Sequence, residues 1–302
     1  MKALYIETHI EAPVAQVWNH SQQPDKHVQW DLRFSSIDYI PKASEDAPQL
    51  FRYATRLGFG IEVSGWGETV GSKQRPDGSA SSALKFGSDH ALAIIKEGSG
   101  YWKYQPEGNG TRFITGYNYT PRWGKIGAII DRFVFRPLMS WATAWSFDCF
   151  RIWMEEGTKP AVSLTISLVH FLTTLALALV LIWHGVVPKW IAPEGGELAV
   201  MLATGVPESI ALPLLQALGI AEVLFAFAIL FIPAWRKLLL KLAMAGLPTL
   251  ASVAMLSQPG LILNPFSPLS LTLALVALAC VALLTYENRP LASRSIRKSP
   301  IT

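Results

Sequence analysis

Cysteine is scarce in this chain, which has only Cys149 and Cys280 among its 302 residues. The two form no C-x-x-C pair, and Cys280 lies inside an apolar run, so a disulfide scaffold, a zinc site and a dithiol redox centre are not expected. The first ten residues, Met1–Ile10, also lack the basic and then apolar pattern of a signal peptide. We therefore expect the N-terminal region to stay in the cytoplasm.

Charge is nearly absent from the second half of the chain. Residues 1–160 hold 18 Lys and Arg and 17 Asp and Glu, whereas residues 161–302 hold 8 basic residues, 5 Glu and no Asp. The basic excess lies in short loops and at the C-terminus, and no basic stripe with interleaved aromatic residues crosses residues 1–160. A nucleic-acid partner is therefore not expected.

Four apolar runs in the second half predict membrane-spanning helices, because a bilayer core needs about 20 apolar residues in a helix. The runs are 161–183, 209–233, 238–256 and 268–286. Basic residues cluster between the second and third runs and after the fourth, in residues 288–302. The positive-inside rule then predicts a multi-pass protein of the cytoplasmic membrane, with both termini and a basic tail, 288–302, in the cytoplasm.

Three ionisable residues in this half form a candidate polar site: His184, Lys189 and Glu222. Glu222 lies near the middle of the second run, where a charge should face the interior of the helix bundle. It is either a site for a proton or polar ligand or a structural carboxyl that holds helices together, and the sequence leaves both readings open. We expect Lys189 to extend to the membrane interface, and His170 to have a hydrogen-bonded packing role.

Short motifs in this half carry a resemblance to a family. His184-Gly185-x-x-Pro188-Lys189 closes the first run, Ala221-Glu222 lies within the second, and Asn264-Pro265-Phe266 precedes the fourth. Residues 161–287 thereby resemble the DoxX-like family of small membrane proteins. That resemblance implies a four-helix bundle, and for some members an association with membrane redox complexes. No cofactor is expected, with a quinone as the one candidate, and a membrane redox protein is the candidate partner.

The first half predicts an antiparallel sheet that is followed by a long helix. Strand-like segments with alternating apolar residues start at Leu4 and recur at 49–57, 61–70, 82–88, 93–105 and 110–119. Apolar residues at helical spacing continue through 123–156, with Pro137 expected to kink or split that helix. The expected fold class is α+β for residues 1–157, followed by an all-α membrane domain.

The N-terminal motif Ile10-x-Ala12-Pro13-x-x-x-Val17-Trp18, followed by Trp30-Asp31, resembles the START-like SRPBCC superfamily of polyketide cyclase and lipid-transfer domains. The resemblance implies a helix-grip fold, in which a curved sheet wraps a long C-terminal helix around an apolar cavity. The expected ligand-binding residues are Arg33, Trp66, Trp102, Tyr117, Trp141, Trp145 and Asp148. For any one of these aromatic residues simple core packing is the alternative, and Asp148 alternatively pairs with an arginine.

Three functions remain open. The first is binding of a hydrophobic small molecule, such as a lipid, isoprenoid or quinone, beside the membrane lipids; the second is a subunit of a quinone-linked redox complex. The third is an enzyme in the soluble domain, for which the sequence holds no catalytic signature and no metal-ligand cluster. In the helix 123–156, Lys125 and Arg132 lie beside apolar residues; we expect an ordinary helix over the sheet, with an interfacial amphipathic helix as the alternative.

Overall fold

The computed structural model describes residues 3–264 and 267–298. They form two compact units. The sheet unit consists of Met1–Ser163 together with Pro290–Thr302, and the helical unit consists of Leu164–Arg289. The chain therefore leaves the sheet unit once, passes through the helical unit, and returns to the sheet unit at its C-terminal end.

Seven antiparallel strands form one sheet in the order β1-β7-β6-β5-β4-β3-β2. Their bounds are β1 Leu4–Ile10, β2 Ser36–Tyr39, β3 Leu50–Gly58, β4 Ile61–Gln74, β5 Ala80–Gly87, β6 Ile95–Glu107 and β7 Gly110–Pro121. The alternation of apolar and polar residues produced this arrangement, since it gives each strand one buried face. The predicted strands are confirmed to within a few residues, and the short edge strand β2 is an addition.

Helices cover one face of the sheet. They are α1 Val14–Gln22, α2 Pro24–Trp30 and α4 Arg136–Glu156, whereas α3 Gly124–Ile130 follows β7 and contacts that strand of the sheet. Phe113 of β7 stacks on Phe147 of α4, and Trp30 of α2 stacks on Phe150 of α4, with ring centroids 4.5 Å apart in each pair. The antiparallel sheet on a long C-terminal helix confirms the predicted fold class for this unit.

The long helical segment is interrupted, as Pro137 predicted. A π-helical turn, Asp131–Phe135, separates α3 from α4, and Pro137 occupies the first turn of α4. Proline has no N–H to bond to the preceding turn, so it fits the start of a new helix and not the middle of one. At the other end, Gly157 stops α4 with a φ of 71°, which a glycine adopts without steric cost.

The segment after the helical unit belongs to the sheet unit. Ile296 pairs with Glu7 of the edge strand β1 through two backbone hydrogen bonds, of 2.8 and 2.9 Å. Asp148 of α4 accepts hydrogen bonds from the Leu291 N–H at 2.7 Å and from Arg294 at 3.3 Å. The described residues 290–298 are thus packed against β1 and α4, whereas the sequence predicted a separate tail.

Four long helices make up most of the helical unit: α5 Pro160–Val186, α7 Glu208–Phe231, α8 Arg236–Ser257 and α9 Pro268–Leu284, with the short helix α6 at Glu197–Ala203. Among the described residues, three helices are long and apolar enough to cross a membrane, and α9 is a shorter apolar helix. The Nδ1 atom of His170 lies 2.9 Å from the Ala282 carbonyl oxygen, which confirms the predicted packing role. The predicted motif residues Pro265 and Phe266 lie outside the described residues.

The helical segment after β7 departs from the prediction of an ordinary helix over the sheet. Ile126, Ile129 and Phe133 have 61–70% of their surface exposed. An amphipathic helix that packs on its own core would bury such residues. This segment therefore presents an apolar face that nothing in the described sheet unit covers.

Candidate functional site

The inner face of the sheet, defined as the face on which Phe113 and Tyr117 meet α4, has glycines placed opposite aromatic residues. Gly65 pairs with Tyr53 and Gly67 with Phe51 across β3 and β4. A Cβ added to Gly65 would lie 2.3 Å from the Tyr53 ring, and one added to Gly67 would lie 2.1 Å from the Phe51 ring. The missing side chains thus let the aromatic rings lie flat on the sheet.

The same arrangement recurs on β6. Gly98 and Gly100 lie opposite Phe86 and Tyr117, and a Cβ at either glycine would come within 2.8 Å of the facing side chain. Phe51, Tyr53 and Phe86 remain partly exposed, and burial raises the pKa of Tyr53 to about 12. Phe51, Tyr53 and Phe86 therefore form an apolar, aromatic surface on the inner face of the middle strands. We call this surface the aromatic floor, and the protein does not cover it fully.

Arg33 lies on the inner face and contacts both β3 and β7. Its backbone carbonyl accepts a hydrogen bond from Thr55 of β3 at 2.5 Å, and its guanidinium lies 5.7 Å from the ring centroid of Tyr117 on β7. Nε and Nη2 of Arg33 donate to the two carboxylate oxygens of Asp31, at 2.8 and 2.5 Å. A guanidinium has five N–H donors, and the bidentate pair with Asp31 uses two of them.

Asp31 is the buried centre of this polar network. Its side chain has no exposed surface, and His27 Nε2 lies 2.9 Å from the second carboxylate oxygen. Burial by itself would raise the pKa of Asp31, but the charge and hydrogen bonds of Arg33 outweigh it and hold that pKa well below its ordinary range. The Asp31–Arg33 ion pair is therefore a fixed ionic element on the inner face, beside the floor residues.

Tyrosine hydroxyls extend the polar network toward the helices. Tyr117 Oη lies 2.9 Å from Thr143 Oγ1 of α4, and Tyr119 donates to the buried carboxylate of Asp131 at 2.6 Å. Burial, and next the adjacent Asp131, raise the pKa of Tyr119. Both hydroxyls therefore stay protonated at neutral pH.

Three of the predicted ligand-binding residues come together here: Arg33, Trp102 and Tyr117. Trp102 and Tyr117 are buried on the inner face, and the Trp102 ring lies 4.9 Å from the His27 ring. The Trp66 prediction is wrong, because Trp66 pairs with Arg52 and Gly87 and so projects from the outer face. A strand places alternate side chains on opposite faces, and Trp66 falls between Gly65 and Gly67.

The other three predicted residues, Trp141, Trp145 and Asp148, do not face the floor. Thr143, Phe147 and Phe150 are the α4 residues that contact the sheet and Trp30. At 100° per residue, Trp141, Trp145 and Asp148 lie on the opposite side of α4. Asp148 pairs with Arg151 at 2.8 Å and binds the returning C-terminal segment, which confirms the alternative of an arginine partner.

The sequence prediction missed His27, Asp31 as an ionic centre, Thr143, and the partly exposed rings of Phe51, Tyr53 and Phe86. One signal for the rings was available. Glycines alternate at 65 and 67 and again at 98 and 100, and glycine in a strand marks a close approach by another group.

A second polar cluster lies in the helical unit. Gly185 of α5 and Gly219 of α7 allow a close helix crossing, since a Cβ at either would lie 2.3–2.6 Å from the other residue's carbonyl oxygen. Just beyond the crossing, a π-helical turn, Val187–Ile191, directs Lys189 into the interior. The Lys189 side chain is only 3% exposed, so the expectation that it extends to the membrane interface is wrong.

Lys189 joins two carboxylates that are distant in sequence. Its Nζ atom lies 2.9 Å from Glu197 Oε2, 2.9 Å from Glu222 Oε2 and 2.9 Å from the His184 carbonyl oxygen. The His184 ring is more distant, with Nδ1 3.9 Å from Glu197. The structure thus brings the predicted His184, Lys189 and Glu222 together and adds Glu197, which sequence analysis had assigned to a loop.

This cluster has a defined charge balance. The Lys189 ammonium donates to the His184 carbonyl oxygen and forms ion pairs with both carboxylates, so its charge is engaged within the cluster. Two carboxylates face one ammonium, which leaves room for one further positive charge. Chemically, the excess carboxylate suits the cluster to hold one proton.

Comparisons with known proteins agree with the membrane character of the helical unit. A model of the DoxX-like family matches residues 178–280. The uncharacterized membrane protein YndG of Bacillus subtilis strain 168 is 42% identical over 185 residues, which are 61% of this chain and 69% of YndG.

Several solved structures are similar over close to half of the chain. TTHA0849 from Thermus thermophilus is 19% identical, with a TM-score of 0.35, and the match covers 45% of this chain and 86% of TTHA0849. A STAR-related lipid transfer protein from Xanthomonas axonopodis is 13% identical, with a TM-score of 0.36 and coverage of 45% and 78%. The Zhui aromatase/cyclase from Streptomyces is 12% identical, with a TM-score of 0.33 and coverage of 41% and 71%.

Proposed function

Since this chain belongs to the family of membrane proteins that includes YndG, and carries a DoxX-like segment, we propose that its sheet unit binds a hydrophobic small molecule beside the bilayer. The ligand class is a lipid, an isoprenoid or a quinone. The observation that carries the proposal is the aromatic floor of Phe51, Tyr53 and Phe86, which the glycine positions keep flat and partly exposed. Apolar clefts with a few placed polar groups are the usual small-molecule sites.

Arg33 supplies the polar contact in this proposal. Its charge is balanced by Asp31, so a neutral ligand with one carbonyl, hydroxyl or ether oxygen suits the site better than a free anion. A hydrophobic ligand would cover the partly exposed rings, and its polar end would accept a hydrogen bond from the guanidinium. This binding role needs no catalytic residue.

Chain connectivity supports a topology in which the sheet unit and both chain termini lie on the same side of the membrane. The chain leaves this unit after Ser163 and rejoins it at Pro290. Both ends of the helical unit must then lie on the same side of the bilayer, which requires an even number of crossings. We infer that α9 crosses the membrane as well, and Arg236, Lys237 and the basic residues at 289–298 favour the cytoplasm for that side.

Mass spectrometry of small molecules that co-purify with the full chain in mild detergent tests the proposal. We expect a hydrophobic compound at a fixed ratio to the protein, lost in Tyr53→Ala and retained in Trp66→Ala. Trp66 is the matched control, an aromatic residue of the adjacent strand on the outer face. Equal retention by the two variants, or no bound compound in the unaltered protein, would contradict the proposal.

The buried cluster around Lys189 favours a second function, that of a quinone-linked redox subunit. Oxidation of a quinol transfers two electrons to a redox partner and releases two protons, and a cluster with one excess carboxylate can accept one of those protons. Glu222→Gln should then lower quinone-linked electron transfer in membranes. Unchanged transfer in that variant would remove this candidate.

A further inference from the structure

One end of the sheet gathers an unusual number of exposed apolar side chains. The strand register brings the β3–β4 turn, the loop after β5 and the segment after β7 to the same end, because β3, β5 and β7 all finish there. The exposed apolar residues at this end are Leu57, Phe59, Ile61, Leu92, Trp123, Ile126, Ile129, Phe133 and Val134. Exposed apolar side chains gathered in this number at one end of a domain mark a candidate interaction site.

Phe59, in the β3–β4 turn, combines an unfavourable backbone conformation with an exposed apolar ring. Gly58 pairs with Ile61, so Phe59 and Gly60 form a two-residue turn, with φ values of 51° and 77°. Two positive φ values in sequence describe the turn type that favours Asn-Gly, and a phenylalanine there is strained. The Phe59 ring is fully exposed, so no contact within the sheet unit accounts for it.

Basic residues accompany the apolar ones on the helical segment. Lys125 and Arg132 are exposed, whereas Asp131, the one acidic residue between Trp123 and Arg136, is buried against Tyr119. Acidic residues elsewhere at this end are Glu62, which pairs with Arg56 at 3.0 Å, the exposed Glu97 near the start of β6, and Asp89 in the loop after β5. The helical segment is therefore positive and apolar, which is the composition of a surface that binds anionic lipid.

We propose that this end of the sheet unit, formed by the Leu57–Ile61 turn and residues 123–134, inserts its apolar side chains into the headgroup region of an anionic lipid bilayer. A chain with membrane-spanning helices keeps the sheet unit close to such a surface at all times. Docking would bring the aromatic floor to the lipid, because the floor residues Tyr53 and Phe86 lie on strands that end at the docking surface. This inference concerns membrane contact and does not require that a ligand be bound.

Position-resolved quenching tests it in the full chain. A fluorophore is attached at Leu57→Cys, and a control fluorophore at Asn109→Cys, in the β6–β7 turn at the opposite end of the sheet. Both variants carry Cys280→Ala. The remaining Cys149 is buried, and burial raises the pKa of its thiol to about 12, so it does not react.

In nanodiscs that contain phosphatidylglycerol, we expect spin-labelled lipids to quench the label at position 57 and aqueous iodide to quench the label at position 109. Adding Phe59→Asn, or replacing the anionic lipid by phosphatidylcholine, should reduce the lipid quenching at position 57. Asn-Gly suits the turn, so Phe59→Asn should keep or raise the thermal stability. Iodide quenching at position 57 equal to that at position 109 overturns the proposal. Protection from both quenchers also overturns it, since a protein and not lipid would then cover the surface.

Discussion

Each unit holds a cluster of charged side chains around one buried group, and the two clusters differ in their balance of positive and negative charge. In the sheet unit, the Asp31 carboxylate pairs with the Arg33 guanidinium and contacts His27. In the helical unit, one ammonium, Lys189, is served by two carboxylates. The first cluster is neutral without any further proton, whereas the second is neutral only when it holds one. The comparison separates a cluster with balanced charges from one with a carboxylate in excess.

Removing Lys189 should lower the stability of the protein more than any other change considered below. Lys189→Met leaves the partly buried Glu197 and Glu222 without a counter-charge, and the cost of breaking a fully buried pair, about 3–5 kcal/mol, sets the upper limit of the effect. Thermal unfolding in detergent should show a large drop for Lys189→Met and little change for the control Lys241→Met, whose side chain is exposed. Equal stability of the two variants would show that the cluster does not hold the helices together.

Removing the carboxylate of the other cluster should have a smaller effect. Asp31→Asn keeps a hydrogen-bonding side chain but loses the charge opposite Arg33, which should cost about 1.5–3 kcal/mol. The folded-state pKa of Asp31 is depressed, so its stabilisation is present above the unfolded pKa of about 3.9 and is lost as the pH falls below it. The acid limb of the unfolding curve should therefore flatten in Asp31→Asn and remain unchanged in the exposed control Asp38→Asn.

Truncation after Arg289 tests whether the C-terminal segment is part of the sheet unit. The deletion removes two backbone bonds to Glu7 and two bonds to Asp148, and should lower the stability of this unit by about 2 kcal/mol. Hydrogen exchange at the Glu7 amide should accelerate. Truncation after Lys298, which keeps these contacts, should change neither quantity; an unaltered Glu7 exchange rate in the longer deletion would contradict the assignment.

Neutralising the excess carboxylate should have the smallest effect on stability. Glu222→Gln keeps an oxygen near Lys189 and leaves Glu197 as the single counter-charge. We expect a change within about 1 kcal/mol, as for one ordinary hydrogen bond, and a weaker dependence of stability on pH. Thermal unfolding at several pH values measures both. A loss as large as that of Lys189→Met would show that Glu222 is permanently charged and structural.

Periodicity predicted the elements of both units but not the faces that they present. The strands after residue 48 and the split at Pro137 followed from alternation and from the missing proline N–H. Trp66 was misassigned because a shift of one residue moves a strand side chain to the other face. Trp145 and Asp148 were misassigned because both sides of α4 are covered there, one by the sheet and the other by residues 290–296, whereas Trp141 lies on that second side and is exposed.

The membrane site was predicted in part. The motifs indicated His184, Lys189 and Glu222, but the depth of Lys189 depends on a close crossing of Gly185 and Gly219. The contribution of Glu197 depends on how the segment after α5 folds back, which no local pattern in the sequence records. Contacts between residues that are distant in the chain are the part that the sequence did not show.

Photocrosslinking in nanodiscs tests the central claim, that the inner face of the sheet binds a hydrophobic molecule, most directly. A diazirine-bearing isoprenoid quinone is activated in the presence of the full chain, and the labelled residues are mapped by peptide mass spectrometry. The account predicts labels on the inner-face residues Phe51, Tyr53 and Phe86, and a loss of these labels when excess unlabelled quinone competes. Labels confined to residues 160–289, with none on β3 or β5, would contradict it.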